Sequence, residues 1–149
     1  HANKLELASR FGATHAVRSG DDLHERVLEI VGESGADVVV ETTGIPALIE
    51  SAYELAGPQG RTILVGVPPK GKNVHLYTLP LHFRKVLKGT EGGGAVPDRD
   101  IPRYIALHDA GRLELDSLVT AAYTLDTIND AIDDMRAGRI AGRCVVDLS

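Results

Sequence analysis

The sequence predicts an α/β fold, a doubly wound parallel sheet followed by a carboxy-terminal helix-strand-helix-strand segment. Helical and strand patterns alternate through the first two thirds, the signature of parallel strands joined by crossover helices. Ala36 to Val40 is an unbroken small and β-branched run, as expected of a strand buried on both faces. With 149 residues, 43% of them hydrophobic and 25% charged, the chain has the usage of a globular protein able to build a core.

Asn3 to Phe11 reads as a helix, and Gly12 follows where a left-handed terminating residue belongs. His15 to Val17 is expected as a short strand. Asp21 or Asp22 caps the next helix, whose Leu23, Val27, Ile30 and Val31 share one face before Gly32 and Gly35 end it. After the central strand, Ile45, Leu48, Ile49 and Ala52 mark a helix with Pro46 in its first turn and Gly57-Pro58 as its stop. Arg61 to Val67 is a further buried strand, ended by the loop Pro68 to Gly71, and Val86 to Thr90 is one more. Gly92-Gly93-Gly94 breaks regular structure. Beyond it the pattern predicts a helix from about Asp100 through Ile101, Tyr104, Ile105 and His108, then a strand near Val119 to Leu125. A helix capped by Asp126, carrying Ile128, Ala131, Ile132 and Met135 and closed by Gly138, leads to a last strand from Arg143 to Leu148.

The net charge of −5 provides no broad positive field, which argues against nucleic acid or an anionic membrane as partner. No apolar run approaches the length of a membrane span and no leader pattern opens the chain, so a cytoplasmic location is expected. The single cysteine, Cys144, allows no internal disulfide.

Several stretches, in order, resemble the zinc-containing medium-chain alcohol dehydrogenases. They are Lys4-Leu5-Glu6-Leu7-Ala8 with Phe11-Gly12-Ala13-Thr14, Ala36 to Gly44, Val65-Gly66-Val67-Pro68, Leu87-Lys88-Gly89-Thr90, and Leu125 to Ala131. The run Thr90-Glu91-Gly92 is closer to the aryl-alcohol branch, a hint at benzylic substrates. The resemblance implies an incomplete Rossmann domain that lacks its first two strands and their G-x-G-x-x-G turn. It divides the chain into the nicotinamide half of a dinucleotide-binding domain, residues 1–91, and a segment returning to the catalytic domain, 92–149.

The same resemblance implies cofactor contacts. Lys4 matches a lysine that bonds the adenosine ribose. Thr42, Thr43 and Gly44 match the turn beside the nicotinamide ribose. Val65, Gly66 and Val67 match a strand end whose backbone carbonyl accepts from the carboxamide, and Thr90, Glu91 and Gly92 match its second backbone contact. Arg143 matches an arginine that reaches the pyrophosphate, a pairing suited to the bidentate guanidinium. Each position also has a plain structural reading: a solvated helix lysine, a strand-to-helix turn, plain core for Val65, an exposed loop, a surface arginine paired with Asp147 or another carboxylate. Glu41 is expected to be structural, and His75 and His82 to be surface or packing residues.

The family's zinc is held by two cysteines and a histidine of its amino-terminal domain, and Cys144 with six histidines at no ligand spacing supplies no such set. The expected activity is hydride transfer between an alcohol and NAD, with NADP open, by a parent enzyme of which this chain alone is inactive. The partners implied are the nicotinamide cofactor, a small alcohol or aldehyde, and further copies of the chain. The alternative is a non-catalytic module that binds nucleotide weakly or oligomerises. If the missing strands leave Ala36 to Val40 open, self-association is expected, or a sheet rearranged so that His15 to Val17 moves in beside it.

Overall fold

The structure, a computed structural model, describes residues Ala2 to Leu148 and comprises two compact units. One spans residues 19–95; the other joins the segment ending at Arg18 to the residues from Val96 onward. Compactness thus divides the chain differently from the expected boundary after residue 91.

In the first unit, helix α2 (Leu23–Val31) leads to strand β1 (Ala36–Glu41), helix α3 (Pro46–Leu55), strand β2 (Ala56–Leu64) and strand β3 (Val86–Gly89). All three strands are parallel, in the order β1-β2-β3. Pro46 starts α3 because its fixed φ suits the first helical position and its missing N–H would have no partner there. The helix buries Ile49, Ala52, Tyr53 and Leu55, and it packs on β1 and β2.

The register slips between the pairs Ala36↔Ala56 and Val38↔Arg61, so Gly57 to Gly60 is taken up as an irregularity inside β2. Gly57-Pro58 therefore does not stop the chain between helix and strand; α3 passes directly into β2. The expectation that Ala36 to Val40 is buried on both faces is corrected. Val39 is half-buried, whereas Val38 and Val40 are 43% and 55% exposed, because alternate residues of a strand face opposite ways and α3 serves one side. In α2, Leu23 and Val27 are half-buried while Ile30 and Val31 remain 40% exposed.

The second unit contains helix α1 (Ala2–Arg10), helix α4 (Pro97–Asp109), strand β4 (Val119–Thr124), helix α5 (Ile128–Arg136) and strand β5 (Arg143–Asp147). Strands β4 and β5 are a parallel pair with α5 as the crossover a parallel connection needs. Gly12 and Gly138, at φ +94° and +70°, end α1 and α5 as expected. Each follows its helix in the left-handed region, where Ala13 N–H reaches Ala8 C=O and Arg139 N–H reaches Asp134 C=O.

Three expectations fail here. His15 to Val17 is not a strand and joins neither of the described sheets. Helix α4 begins at Pro97, where proline is favoured, and the Asp100 carboxylate accepts the Val96 N–H at 2.8 Å to close the first turn. Asp126 does not cap the last helix; Thr124 and Thr127 form a reciprocal box around the short turn Leu125–Thr127 that precedes α5.

Candidate functional site

In the first unit the register sets Glu41, Leu64 and Gly89 side by side, so β1, β2 and β3 end in one row. The loops leaving that row carry Thr42 to Gly44, Val65 to Val67 and Thr90 to Gly92. Three of the expected stretches thereby gather at the carboxyl ends of parallel strands, where ligands of open α/β sheets lie.

Glu41 organises the row. Its main-chain carbonyl accepts from the Val65 and Gly66 N–H groups at 2.8 and 3.1 Å. Its carboxylate accepts from the Thr43 N–H at 2.6 Å, from the Gly44 N–H at 3.0 Å and from the Thr43 hydroxyl. The residue is 5% exposed. Burial pushes its carboxyl up, but the donors from Thr43 and Gly44 prevail and hold it below the usual carboxylate range. The structural role expected of Glu41 is what these contacts describe, extended to the site itself.

Gly66 permits a close approach of these two turns. A methyl group on it would lie 2.1 Å from Gly44 N, and one on Gly44, whose φ is +71°, would lie 2.5 Å from Val67 carbonyl atoms. Above this backbone contact Thr42, Thr43, Val65 and Val67 are exposed. Thr90 joins the row through its N–H and its hydroxyl, both donating to Leu64 C=O at 3.0 Å. Glu91 and Gly92 lie beyond it in an exposed turn, and Gly92, Gly93 and Gly94 all have positive φ.

Lys4 and Arg143 belong to the second unit. Lys4 is exposed in the first turn of α1, and Arg143 is exposed at the start of β5, paired in register with Val119. Within that unit Asn3, next to Lys4, donates to the Gly138 and Arg139 carbonyls at 3.4 Å, which ties the start of α1 to the turn before Arg143. The turn is braced further by Asp134, which accepts from Arg139 Nε at 2.6 Å and from the Tyr123 hydroxyl at 2.6 Å. That bond and burial push the Tyr123 phenol up to about 12.

Sequence reasoning missed Asn3 and the Tyr123-Asp134-Arg139 cluster, because five positions across a helix end carry no periodic signal. A signal was available in Asp134 and Arg139 flanking Gly138, since the left-handed glycine folds the chain back on its helix.

Among the described residues no group of three or more His, Cys, Asp or Glu side chains is placed to hold a metal ion. None of the described helices is long and apolar enough to cross a membrane.

A parallel α/β unit whose free turns line the strand carboxyl ends has the form of a nucleotide-binding domain. The chain belongs to the zinc-binding dehydrogenase family, whose sequence pattern matches residues 1–109. It is 36% identical over 145 residues to the NDMA-dependent alcohol dehydrogenase of Amycolatopsis methanolica, covering 93% of this chain and 38% of that protein. The crystal structure of benzyl alcohol dehydrogenase from Acinetobacter calcoaceticus superposes with a TM-score of 0.90 at 29% identity, covering 100% of this chain and 41% of that one. A zinc-binding dehydrogenase from Sinorhizobium meliloti 1021, crystallised bound to NADP, gives 0.73 at 26% identity, covering 97% of this chain and 40% of its own. The chain therefore spans about two fifths of the length of these relatives.

Proposed function

We propose that this chain is the nicotinamide-binding part of a zinc-dependent alcohol dehydrogenase that transfers hydride between an alcohol, aromatic alcohols included, and NAD or NADP. The observation that carries the reading is the single row of turns at the carboxyl ends of β1, β2 and β3, drawn together by Glu41 and Gly66. The bound nicotinamide supplies the hydride acceptor and donor. In this reading Thr42 to Gly44 flank its ribose, and backbone groups of Val65 to Val67 and of Thr90 to Gly92 hold its carboxamide. Lys4 takes the adenosine ribose and Arg143 the pyrophosphate, where a guanidinium matches phosphate oxygens. Because Glu41 fixes two turns with one side chain and one carbonyl, the ring meets a surface already in place, which lowers the ordering cost of binding.

The residues described here form no zinc site, so no step is assigned to the metal on this chain. The chain alone is proposed to bind cofactor without turning over alcohol, to work in the cytoplasm, and to self-associate. The domain boundary after residue 91 is retained as a functional division, with residues 92–149 returning to the catalytic part.

Titrating NADH and NADPH against the chain while following nucleotide fluorescence tests the reading. Saturation at micromolar levels is expected, weakened on Arg143→Ala. Failure of both nucleotides to bind at millimolar concentration would favour a module that only oligomerises. Oxidation of benzyl alcohol by the isolated chain would overturn the assignment of inactivity.

A further inference from the structure

We propose that Lys85 is a carbonyl-reactive amine on the wall of a cavity at the amino-terminal end of β3, and that the cavity takes small aromatic aldehydes, captured as an imine. This site lies at the end of the strand opposite Thr90, and it stands independently of the cofactor reading.

The cavity measures about 370 Å³, and Tyr53, Leu76, Tyr77 and Pro80 share its wall with His24, Glu54, His75 and Lys85. A second cavity of about 320 Å³ shares His24, Glu54, Pro80 and Lys85. Lys85 is 8% exposed, whereas Lys4, Lys70, Lys72 and Lys88 are all exposed. Its Nζ donates to Ala56 C=O at 2.6 Å and lies 4.4 Å from the centre of the Tyr53 ring. The carbonyl and the ring fix the nitrogen in place, and both favour its charged form. Burial works against the charge and outweighs the attraction of Glu54, so the ammonium gives up its proton more readily than a free lysine. A desolvated lysine that is held in one place beside a cavity carrying two tyrosine rings has the features of an imine-forming nucleophile.

In the step, the uncharged Lys85 nitrogen bonds to the aldehyde carbon. The carbonyl oxygen then leaves as water, carrying both amine hydrogens, and a C=N bond remains. Once protonated, the imine keeps one N–H for Ala56 C=O. No oxidant or reductant is consumed.

The test treats the full chain with benzaldehyde and sodium cyanoborohydride, which reduces the imine to a stable benzylamine, and maps the adducts by peptide mass spectrometry. Occupancy at Lys85 at least about threefold above each of the four exposed lysines is expected, because the cavity holds the aldehyde against the amine. Equal labelling of all five lysines, or labelling confined to the exposed four, overturns the proposal. Lys85→Arg keeps a cation for Ala56 and Tyr53, so the fold is expected to persist by circular dichroism while total labelling drops. Leu76→Trp fills the cavity and is expected to abolish the excess at Lys85 with the exposed lysines unchanged. Undiminished labelling of Lys85 in that variant overturns the assignment of the cavity.

Discussion

At the scale of residues, Glu41 and Gly66 act on the same two turns by opposite means, one by attraction and one by the absence of a side chain. Gly66→Ala places a methyl group 2.1 Å from Gly44 N, against backbone that has no rotamer to yield. Overpacking of this kind typically costs about 1–3 kcal/mol. A lower urea midpoint and weaker NADH binding are expected together, and an unchanged midpoint would show that the turns are free to separate. Glu41→Gln removes a buried carboxylate that holds three donors, for which a loss of about 1–3 kcal/mol near neutral pH is expected. The pH dependence follows from the direction of its shift. A carboxyl held below its ordinary value stabilises the fold above the unfolded value near 4.3, and that stability is lost as pH falls through the lower folded value. Denaturant midpoints measured from pH 6 down to pH 3 therefore should fall less steeply in the glutamine variant than in the wild type.

At the scale of elements, the joint between α5 and β5 is fixed from several directions. Gly138 turns the backbone, Asp134 grips Arg139 and Tyr123, Thr120 accepts the Gly142 N–H at 3.1 Å, and Asn3 reaches in from α1. Because the bond to Asp134 is the first cause of the high Tyr123 value, Asp134→Asn is expected to bring that phenol down from about 12 toward the ordinary tyrosine value near 10. Absorbance titration near 295 nm reads the change, and a Tyr123 that still titrates at its original value would contradict the contact. A raised tyrosine stabilises the fold below its unfolded value and loses that contribution as pH rises from about 10 to about 12. The variant is therefore expected to be less stable than the wild type at neutral pH and to approach it near pH 12.

At the scale of the whole molecule, β1 ends the three-stranded sheet, and the face carrying Val38 and Val40 is exposed. An edge rich in β-branched residues templates pairing with another chain. Light scattering is expected to show concentration-dependent association that Val40→Lys reduces, and a monodisperse monomer across the micromolar range would remove the expectation. The rearranged sheet offered as the other outcome is not seen among the described residues, because His15 to Val17 forms no strand.

The alternation of strands and helices, the parallel arrangement, the glycine ends of α1 and α5, and the stretches that leave the strand ends were legible in the sequence. Each is a local pattern of period, β-branching or backbone chirality, and such patterns are set by neighbours within a few residues. Tertiary structure decided the rest. It passed α3 directly into β2, left Val38 and Val40 uncovered, joined α1 to the carboxy-terminal unit, and buried Lys85 over Tyr53. It also made Glu41 the clasp of the candidate site. The physical reason is common to all five: register, packing and the partners of a buried charge depend on which distant segments meet, and the linear order of residues does not state that.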